Sequence, residues 1–564
     1  MCGISGKVVF GGGGPVSERV IQLMNEKLKH RGPDGEGIYI NPQGAVGLGH
    51  RRLAVIDLSP AASQPLSNED GTIWIVYNGE IYNFQALRLD LEKRGHKFKS
   101  KSDTEVIVHL YEEYGEDCLR HLRGMFAFAI WDENQQQLFL ARDRLGKKPL
   151  KYYLGPDFFI FASELKAILP QLKERPEVDK AALPHFFAFN HLLAPATGFK
   201  GIYKLPPAHY GILRNGQLTI KKYWQLDFSQ KIKITYQEAK EELQRLLTEA
   251  VRLRLIADVP LGAMLSGGID SSLVVGLMSQ FTRPKTFSIG FAEERLDERP
   301  FARLAADHFG TNHTDLEVKP DTIKIFPKLI EHYEEPYADS SALPTYYLAE
   351  LTRRSVKVAL NGDGGDEAFG GYRRYKYWNL LHYLKKDIYF DIASWRYFKD
   401  KISNFQFPIS NLRKLDDVFK LAYDTFLPND LLVKMDIATM AFGLEARSPF
   451  LDQEIVEFAA SLPARWKVRG FQTKIILKDT FKELLPKEII ERGKYGFELP
   501  VDAWFRGPLY QWAREILLAG KFLEHGYFEQ KTIEKLLEEH KNGRRRHGQR
   551  LWLLLCFEFW LQWK

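Results

Sequence analysis

The sequence predicts an α+β part followed by an α/β part. In the first half, residues 72–77 and 125–131 are rich in β-branched and aromatic side chains, which is typical of strands. In the second half, an apolar run at residues 258–265 leads through a glycine-serine loop into a helical pattern. A further apolar run at residues 285–291 would lie beside it in a doubly wound, mostly parallel sheet. With 564 residues, several domains are expected.

Composition and charge argue against a nucleic-acid-binding or a membrane-spanning protein. The chain carries 79 Lys and Arg against 72 Asp and Glu, and its net charge of +7 is too weak at this length to indicate nucleic acid as a partner. The densest basic run, residues 541–550, is interpreted as a solvated turn before the last helix. The longest apolar run, residues 551–560, contains Glu558 and is too short to span a bilayer, so no membrane partner is expected.

The cysteines and the N-terminus predict a cytoplasmic protein. Cys2, Cys118 and Cys556 are too few for a disulfide framework, and they form no Cys-x-x-Cys pair. Free thiols favour a reducing compartment. The first residues also lack the basic segment followed by an apolar segment that marks a secretory signal.

A loop between the predicted strand and helix has the composition of a phosphate site. It consists of Leu265, Ser266, Gly267, Gly268, Ile269, Asp270, Ser271 and Ser272. Two glycines allow the backbone to approach a ligand closely, and the new helix offers its unpaired N–H groups. No lysine follows the glycines, so this is not the nucleotide loop that ends in Gly-Lys-Ser/Thr. The alternative is a plain glycine-serine turn.

The pattern Ser-Gly-Gly-x-Asp-Ser-Ser resembles the pyrophosphate loop of the ATP pyrophosphatase families. These families cleave ATP between the α and β phosphates and adenylate a carbonyl oxygen. The resemblance implies that the loop holds the departing pyrophosphate and that Asp270 helps to hold Mg²⁺.

Cys2 directly follows Met1 and has the properties of an N-terminal nucleophile. Because Cys2 and Gly3 are small, removal of Met1 is expected, and it would place a thiol and an α-amine on one residue. The α-amine, with a pKa of about 8, could accept the proton of the thiol.

Four further motifs follow Cys2 and bear on its role. They are residues 30–34 (His-Arg-Gly-Pro-Asp), 49–53 (Gly-His-Arg-Arg-Leu), 77–83 (Tyr-Asn-Gly-Glu-Ile-Tyr-Asn) and 102–105 (Ser-Asp-Thr-Glu). From Cys2 to Trp224 their order resembles the class II glutamine amidotransferases. The resemblance implies a four-layer αββα sandwich of the N-terminal nucleophile hydrolase type, and we expect its strand at residues 72–77 to end in a turn at Asn78-Gly79.

The same resemblance assigns roles in glutamine hydrolysis. Cys2 would attack the carboxamide, while the side-chain amide of Asn78 and the backbone N–H of Gly79 would form the oxyanion hole. The remaining roles concern binding of the glutamine: Arg52 would pair with its α-carboxylate, and Asp103 with Glu80 would meet its α-ammonium. The neighbouring Arg51 is interpreted as structural.

The domain boundaries follow from these patterns. We expect a glutaminase domain at residues 2–224, a polar linker at 225–236 and an ATP-pyrophosphatase domain at 237–564. A helix from Gln237 would open the second domain, and a helix at residues 551–562 would close it.

A second loop, at residues 361–367, is acidic and rich in glycine. Its carboxylates repel one another unless a cation lies among them, and Mg²⁺ suits such a set. By resemblance, Asp366 shares the metal with Asp270, Asp363 is the general base toward ammonia, and Lys494 neutralises charge on the adenylate. Many relatives have serine where this chain has Asn361, and some have glutamate where it has Asp363. The expected ATP-binding residues are Leu265, Ser266, Gly267, Gly268, Asp270, Ser271, Ser272, Ile289, Asn361 and Gly362.

Taken over nearly its whole length, the chain resembles the glutamine-hydrolysing asparagine synthetases of the bacterial B type. The resemblance implies glutamine, aspartate and ATP as substrates, Mg²⁺ as cofactor and a β-aspartyl-AMP intermediate, and it allows a homodimer. An amidotransferase that acts by the same mechanism on a sugar uronate or a peptide carboxylate is the open alternative. A tRNA-modifying protein would lack the N-terminal glutaminase, and a non-catalytic sensor would be expected to have lost Cys2, Asp270 or Asp366.

Overall fold

The computed structural model describes residues 1–291, 297–318, 322–376, 414–493 and 499–564. The first half contains β1 Gly3–Val9, α1 Glu18–Lys27, β2 Gly35–Ile40, β3 Val46–Arg52, β4 Leu66–Ser67, β5 Ile73–Ile81, α2 Phe84–Lys93, α3 Asp103–Tyr114, β6 Gly124–Asp132, β7 Gln137–Arg142, β8 Lys151–Leu154, β9 Phe158–Ala162, α4 Leu165–Ile168, α5 Leu183–Phe189, β10 Ile202–Lys204, β11 His209–Arg214 and β12 Gln217–Lys222.

The second half contains α6 Tyr236–Leu253, β13 Leu261–Met264, α7 Ile269–Met278, β14 Lys285–Gly290, α8 Arg299–His308, β15 Asn312–Glu317, α9 Thr322–Tyr333, α10 Ala342–Arg353, β16 Val358–Leu360, α11 Gly365–Phe369, α12 Leu415–Leu421, a π-helical stretch Ala422–Leu431, α13 Leu432–Met440, β17 Glu445–Arg447, α14 Gln453–Ser461, α15 Ala464–Lys467, β18 Val468–Arg469, β19 Gln472–Thr473, α16 Ile475–Phe481, α17 Lys487–Glu491, α18 Val501–Arg506, α19 Tyr510–Leu518, α20 Lys521–Glu524, α21 Gln530–Lys541 and α22 Gly548–Trp563.

Two antiparallel sheets stack in the first half. Their strand orders are β10-β8-β9-β1-β3-β2 and β12-β11-β7-β6-β5-β4. Ile4, Val76 and Phe161 are among the buried side chains that fill the space between the sheets. Helix α1 covers the outer face of the first sheet, and α2 with α3 covers that of the second. The predicted αββα sandwich is thereby confirmed.

Strand β5 does not end where the sequence predicts a turn. It continues through Asn78-Gly79 to Ile81, with Gly79 opposite Phe126 of β6. A Cβ at Gly79 would lie 2.1 Å from the carbonyl oxygen of Met125. Glycine is therefore needed here for the close approach of a neighbouring strand, and the turn expectation was wrong.

The second half is built on a parallel sheet with the strand order β15-β14-β13-β16-β17. Each neighbouring pair in this sheet is parallel. Side chains of α6, α7 and α8 form the core on one face, and α10 packs against the other face. The predicted doubly wound sheet is confirmed, and its loops after β13 and β16 lie at the same carboxyl edge.

The connection between the halves is partly buried, although its composition is polar. Leu226 and Phe228 belong to a buried cluster. Helix α6 begins at Tyr236, one residue earlier than expected, because Thr235 and Glu238 form a reciprocal capping box. At the other end of the chain, α22 runs from Gly548 to Trp563.

Helix α22 packs into the protein. Most of its residues are buried, and Trp560 donates a hydrogen bond from Nε1 to the carbonyl oxygen of Glu334 at 2.9 Å. Among the described residues, no helix combines the length and the apolar character needed to cross a bilayer.

Candidate functional sites

Cys2 lies at the start of β1, in the middle of the first sheet. Its side chain is buried, and its backbone N–H donates to Oδ1 of Asn78 at 2.9 Å. Burial raises the pKa of the thiol, whereas the terminal ammonium, the backbone N–H of Leu53 and the charge of Arg52 lower it. These neighbours favour the thiolate once burial is relieved.

Asn78 is positioned as a donor. Because its Oδ1 accepts from Cys2, its Nδ2 must point elsewhere, and this atom is buried without a hydrogen-bond partner among the described residues. A buried, unpaired amide donor beside a nucleophile is the arrangement that an oxyanion hole requires.

Arg52 and Asp103 lie on opposite sides of this region. The Arg52 guanidinium donates to the backbone carbonyls of Asp57 and Ser59. Asp103, in the first turn of α3, accepts from the Ile81 N–H at 2.9 Å and from the Tyr77 hydroxyl at 2.7 Å. Burial raises the pKa of Asp103, and these two hydrogen bonds oppose the rise.

Glu80 is held by the second half of the chain. Its Oε2 lies 3.1 Å from Nη2 of Arg447, and both side chains are buried. Arg447 also binds Glu445 at 2.6 Å, and Glu445 pairs with the Met1 ammonium at 2.8 Å. Burial alone would raise the pKa of Glu445, but the ammonium and Arg447 lower it to about 2. The strand β17 therefore forms one wall of the Cys2 site.

The predicted phosphate loop connects β13 to α7. The Ser266 N–H donates to Oγ of Ser271 at 3.2 Å, and the Gly268 N–H donates to Oγ of Ser266 at 3.3 Å. Gly267 has a φ of +67°, and a Cβ there would lie 2.3 Å from the backbone of Phe301. The loop is thus preformed with its serines turned inward. Ser272 is buried within α7, while Leu265 and Ile289 line the adjoining cavity.

The acidic loop follows β16 and faces the phosphate loop. Asn361 donates from Nδ2 to Asp363 at 3.0 Å and accepts from the Ser448 hydroxyl at 2.7 Å. A Cβ at Gly362 would lie 2.8 Å from the Ser271 nitrogen, so glycine allows the two loops to meet. Burial and the charge of Asp366 raise the pKa of Glu367 to about 7.

Lys474 bridges the two carboxylates that the sequence assigns to a metal. Its Nζ lies 2.5 Å from Oδ2 of Asp270 and 2.5 Å from Oδ1 of Asp366. These side chains are largely buried, so an ion pair of this kind lowers the cost of placing two carboxylates close together. The position between Asp270 and Asp366 is therefore one that attracts a cation.

The two loops open into one cavity of about 710 Å³. Its far wall is formed by Asp339, Asp430 and Lys434. Arg492 closes another side by donating to the Ser266 carbonyl at 3.0 Å and pairing with Glu298 at 2.9 Å. Lys494, the predicted adenylate-neutralising residue, lies outside the described residues.

A smaller cavity lies between the two sites. Tyr82 and Met125 of the first half line it together with Met435 of the second half, and Met435 also lines the large cavity. Tyr82 and Met125 in turn belong to the buried cluster that contains Met1. The small cavity is also lined by Lys147, Lys148, Asp436 and Ser448, so both apolar and charged side chains lie between the neighbourhood of Cys2 and the large cavity.

Several residues of the two sites were not assigned from the sequence. Glu445, Arg447 and Arg492 have partners that are distant in the chain, and nothing local in the sequence indicates them. Lys474 directly precedes the apolar residues 475–477 and likewise carries no local signal of its partners. Arg31, within the first motif, binds the Cys2 carbonyl at 3.1 Å and pairs with Glu164 and Asp436.

Comparison with protein families gives two matches. The glutamine amidotransferase domain matches residues 1–224, and asparagine synthase matches residues 242–562. The two matches coincide with the two halves that carry Cys2 and the phosphate loop.

Individual relatives extend over most of the chain. Glutamine-hydrolysing asparagine synthetase 1 of Bacillus subtilis is 32% identical, and the match covers 96% of this chain and 93% of that protein. A putative glutamine-hydrolysing asparagine synthetase 2 of Methanocaldococcus jannaschii is 40% identical over 68% of this chain and 78% of that protein. The amidase chry2 of Gibberella zeae is 28% identical over 95% of each chain.

Replacement of Arg447 tests how much its buried ion pairs with Glu80 and Glu445 stabilise the protein. Arg447→Leu would leave Glu80 and Glu445 buried without their cation, so we expect the free energy of unfolding to fall by about 3–5 kcal/mol. Urea unfolding followed by circular dichroism measures the change. Arg245→Leu is the control, because its pair with Glu242 is exposed and is worth less than about 1 kcal/mol. Equal effects of the two substitutions would contradict the interpretation.

Proposed function

Because the chain belongs to the family of glutamine-hydrolysing asparagine synthetases, we propose that it transfers the amide nitrogen of glutamine to the side-chain carboxylate of aspartate. ATP would be cleaved to AMP and pyrophosphate, and glutamate and asparagine would be released. The observation that carries this proposal is that the phosphate loop and the acidic loop open into one cavity, and that a smaller cavity beside the Met1 cluster shares Met435 with it.

The first half would hydrolyse glutamine. Removal of Met1 places the α-amine on Cys2, where it accepts the thiol proton. The thiolate attacks the carboxamide carbon, the α-ammonium returns its proton to the departing nitrogen, and the C–N bond breaks to release ammonia and leave a thioester. Water then hydrolyses the thioester to glutamate and regenerates the thiol. The Nδ2 group of Asn78 and the N–H of Gly79 stabilise the oxyanion. Arg52 binds the α-carboxylate, and Asp103 with Glu80 binds the α-ammonium.

The second half would activate aspartate. The serines and glycines of residues 265–272, with Ile289, Asn361 and Gly362, bind ATP, and the aspartate carboxylate displaces pyrophosphate from the α phosphorus to give β-aspartyl-AMP. Asp270 and Asp366 fit Mg²⁺, because one or two carboxylates with phosphate oxygens are its usual ligands. The ion would supply positive charge for the departing pyrophosphate, and Lys474 would share the two carboxylates with it. Asp363 would take a proton from the attacking ammonia, and Lys494 would neutralise charge on the adenylate.

The far wall of the cavity supports an amino acid as the acceptor. Lys434 pairs with Asp339 at 3.1 Å, so this wall offers a cation for an α-carboxylate and an anion for an α-ammonium. Lys434 and the hydrogen bonds of Ser341 lower the pKa of Asp339 against the effect of burial, which keeps it charged. Burial and the nearby Asp339 raise the pKa of Asp430 to about 8.

Ammonia would pass inside the protein. The side chains of Tyr82, Met125 and Met440 are buried together beside the position that Met1 occupies before its removal, and Met435 lines both the small and the large cavity. Such a path keeps ammonia unprotonated and nucleophilic, because ammonia in neutral water is mostly ammonium. The unpaired thiols of Cys2, Cys118 and Cys556 support a cytoplasmic location.

An acceptor other than aspartate is the second candidate. A relative whose match covers 95% of both chains is named an amidase. A sugar uronate or a peptide carboxylate would use the same loops and would differ only in its contacts with the far wall.

Pyrophosphate release distinguishes the acceptors. With ATP, Mg²⁺ and ammonium supplied, we expect release that depends on aspartate, with asparagine formed in equal amount, because adenylation precedes amide formation. A coupled phosphate assay and amino-acid analysis measure the two products. Release with a uronate or a peptide but not with aspartate would establish the second candidate. No release with any carboxylate would overturn the adenylation proposal.

Cys2→Ala separates the two sites. We expect glutamine-dependent synthesis to disappear while synthesis from ammonium continues at its original rate, because only the first half needs the thiol. Cys118→Ala, which removes a buried thiol outside the site, serves as the control and should retain both activities. Loss of both activities in Cys2→Ala alone would contradict a two-site mechanism.

Asp270→Asn tests the cation site. We expect pyrophosphate release to fall about 100-fold or more with glutaminase activity retained, because one of two carboxylates around the cation is neutralised. The exposed Asp307→Asn gives the matched control for the same chemical change. Undiminished pyrophosphate release in Asp270→Asn would show that Asp270 does not hold the cation.

A further inference from the structure

Two histidines and two glutamates converge at one end of α3, in the first half of the chain. Glu69 follows β4, His96 follows α2, and His109 and Glu112 lie on α3. One potential ligand atom from each side chain lies within 4.8 Å of the others. We propose that these four residues bind a divalent transition metal, with Zn²⁺ as the ion that suits them.

The distances suit a small ion. Glu112 Oε2 lies 2.7 Å from His109 Nδ1 and 3.5 Å from His96 Nδ1, and Glu69 Oε2 lies 3.7 Å from His109 Nδ1. An ion about 2.1 Å from each of four tetrahedral ligands separates those ligands by about 3.4 Å. Two of the three distances are already near that value, and only the hydrogen bond between His109 and Glu112 would have to lengthen.

Each glutamate is fixed through the oxygen that would not bind the ion. The Lys97 N–H donates to Glu69 Oε1 at 2.8 Å. The side-chain amide of Asn68 donates to Glu112 Oε1 at 2.8 Å. In both cases the other oxygen, Oε2, is left facing the histidines. The carboxylates are therefore oriented before any ion binds.

Each histidine has a carboxylate near its remote nitrogen, but only one of the two is within hydrogen-bond distance. Glu113 Oε1 lies 3.0 Å from His96 Nε2, whereas Glu105 Oε1 lies 3.8 Å from His109 Nε2, too far for a hydrogen bond. A carboxylate that accepts from one ring nitrogen fixes the tautomer and directs the lone pair of the other nitrogen outward. The order carboxylate, histidine, metal recurs at zinc sites. Here both Nδ1 atoms are directed at the shared point.

The surroundings also favour a cation. His109 is fully buried, whereas His96 is half-buried and both glutamate ligands are at the surface, so the site is open to solvent on one side. The carboxylates of Glu69 and Glu112 lie beside the ring of His109, so negative charge surrounds the point at which an ion would bind. Among the described residues, the arginine that pairs with a carboxylate beside the cluster is Arg94. Its Nη1 lies 3.3 Å from Oε2 of Glu113, which is not one of the four proposed ligands.

Metal binding would join three separate segments. The ion would tie the turn after β4 and the turn after α2 to α3, whose first turn carries Asp103. A ligand that binds only the folded state stabilises it by an amount that grows with the logarithm of ligand concentration divided by Kd, and so raises the melting temperature. Binding at this place does not depend on which carboxylate the enzyme amidates.

The test is zinc retention by the full-length protein. After removal of metal with a chelator, addition of Zn²⁺ and gel filtration, we expect about one additional Zn²⁺ per chain relative to His96→Gln, measured by mass spectrometry. His96 is chosen because it is the more exposed histidine, and its replacement should not disturb folding. His121→Gln, an exposed histidine of the same half outside the cluster, should retain zinc like the unaltered protein.

Two further measurements identify the ligands. Co²⁺ in place of Zn²⁺ should give the intense visible absorption of a tetrahedral site, and His96→Gln should lose it. Glu113→Gln should weaken zinc binding about 10- to 100-fold while leaving stoichiometry at saturation unchanged. Equal zinc content in His96→Gln and His121→Gln, with no change in cobalt absorption, would overturn the proposal and leave the cluster as a histidine ion-pair network.

Discussion

Buried ion pairs between the two halves are the interaction on which the rest of the structure depends. Arg31 reaches Asp436, Arg123 reaches Asp452, and Lys151 reaches Glu334. A buried charge without its partner strongly destabilises the folded state. Any shift of one half against the other would separate several of these pairs and leave their charges buried and unpaired. The pairs thus favour one relative position of the halves, and a buried apolar cluster that includes side chains of both surrounds them.

Because the halves are held in one relative position, residues of the second half contact the surroundings of Cys2 in the first half. Glu445 and Arg447 belong by topology to the parallel sheet, yet they contact Met1 and Glu80 of the first half. The same strand β17 lies beside β16, whose end carries the acidic loop. The two sites are therefore separated by a single pair of strands.

The ammonium of Lys474 holds Asp270 and Asp366 together. Buried carboxylates repel one another, and Lys474 offsets part of that repulsion. If these loops bind a nucleotide as proposed, serines that already bind one another and carboxylates that are already paired would need little rearrangement. Preorganisation of this kind lowers the cost of binding.

The sequence by itself determined the chemistry available. Cys2 after Met1, the glycine-serine loop, the acidic loop and the strand patterns are all local. They were placed correctly apart from residues 365–367 of the predicted acidic loop, which belong to helix α11, and the turn expected at Asn78-Gly79. That error arose because Asn-Gly signals a turn locally, whereas the close approach of β6 is a property of the sheet.

Only the tertiary structure decided the partners. Lys474 and Asp270 are 204 positions apart, and Met1 and Glu445 are 444 apart, so no periodicity or spacing could pair them. The convergence of Glu69, His96 and His109 likewise depends on how α2 and α3 pack on the second sheet. Local sequence determines which chemical groups a segment can offer. The packing of distant segments determines which of those groups meet, because buried groups are paired by charge and shape and not by their order in the chain.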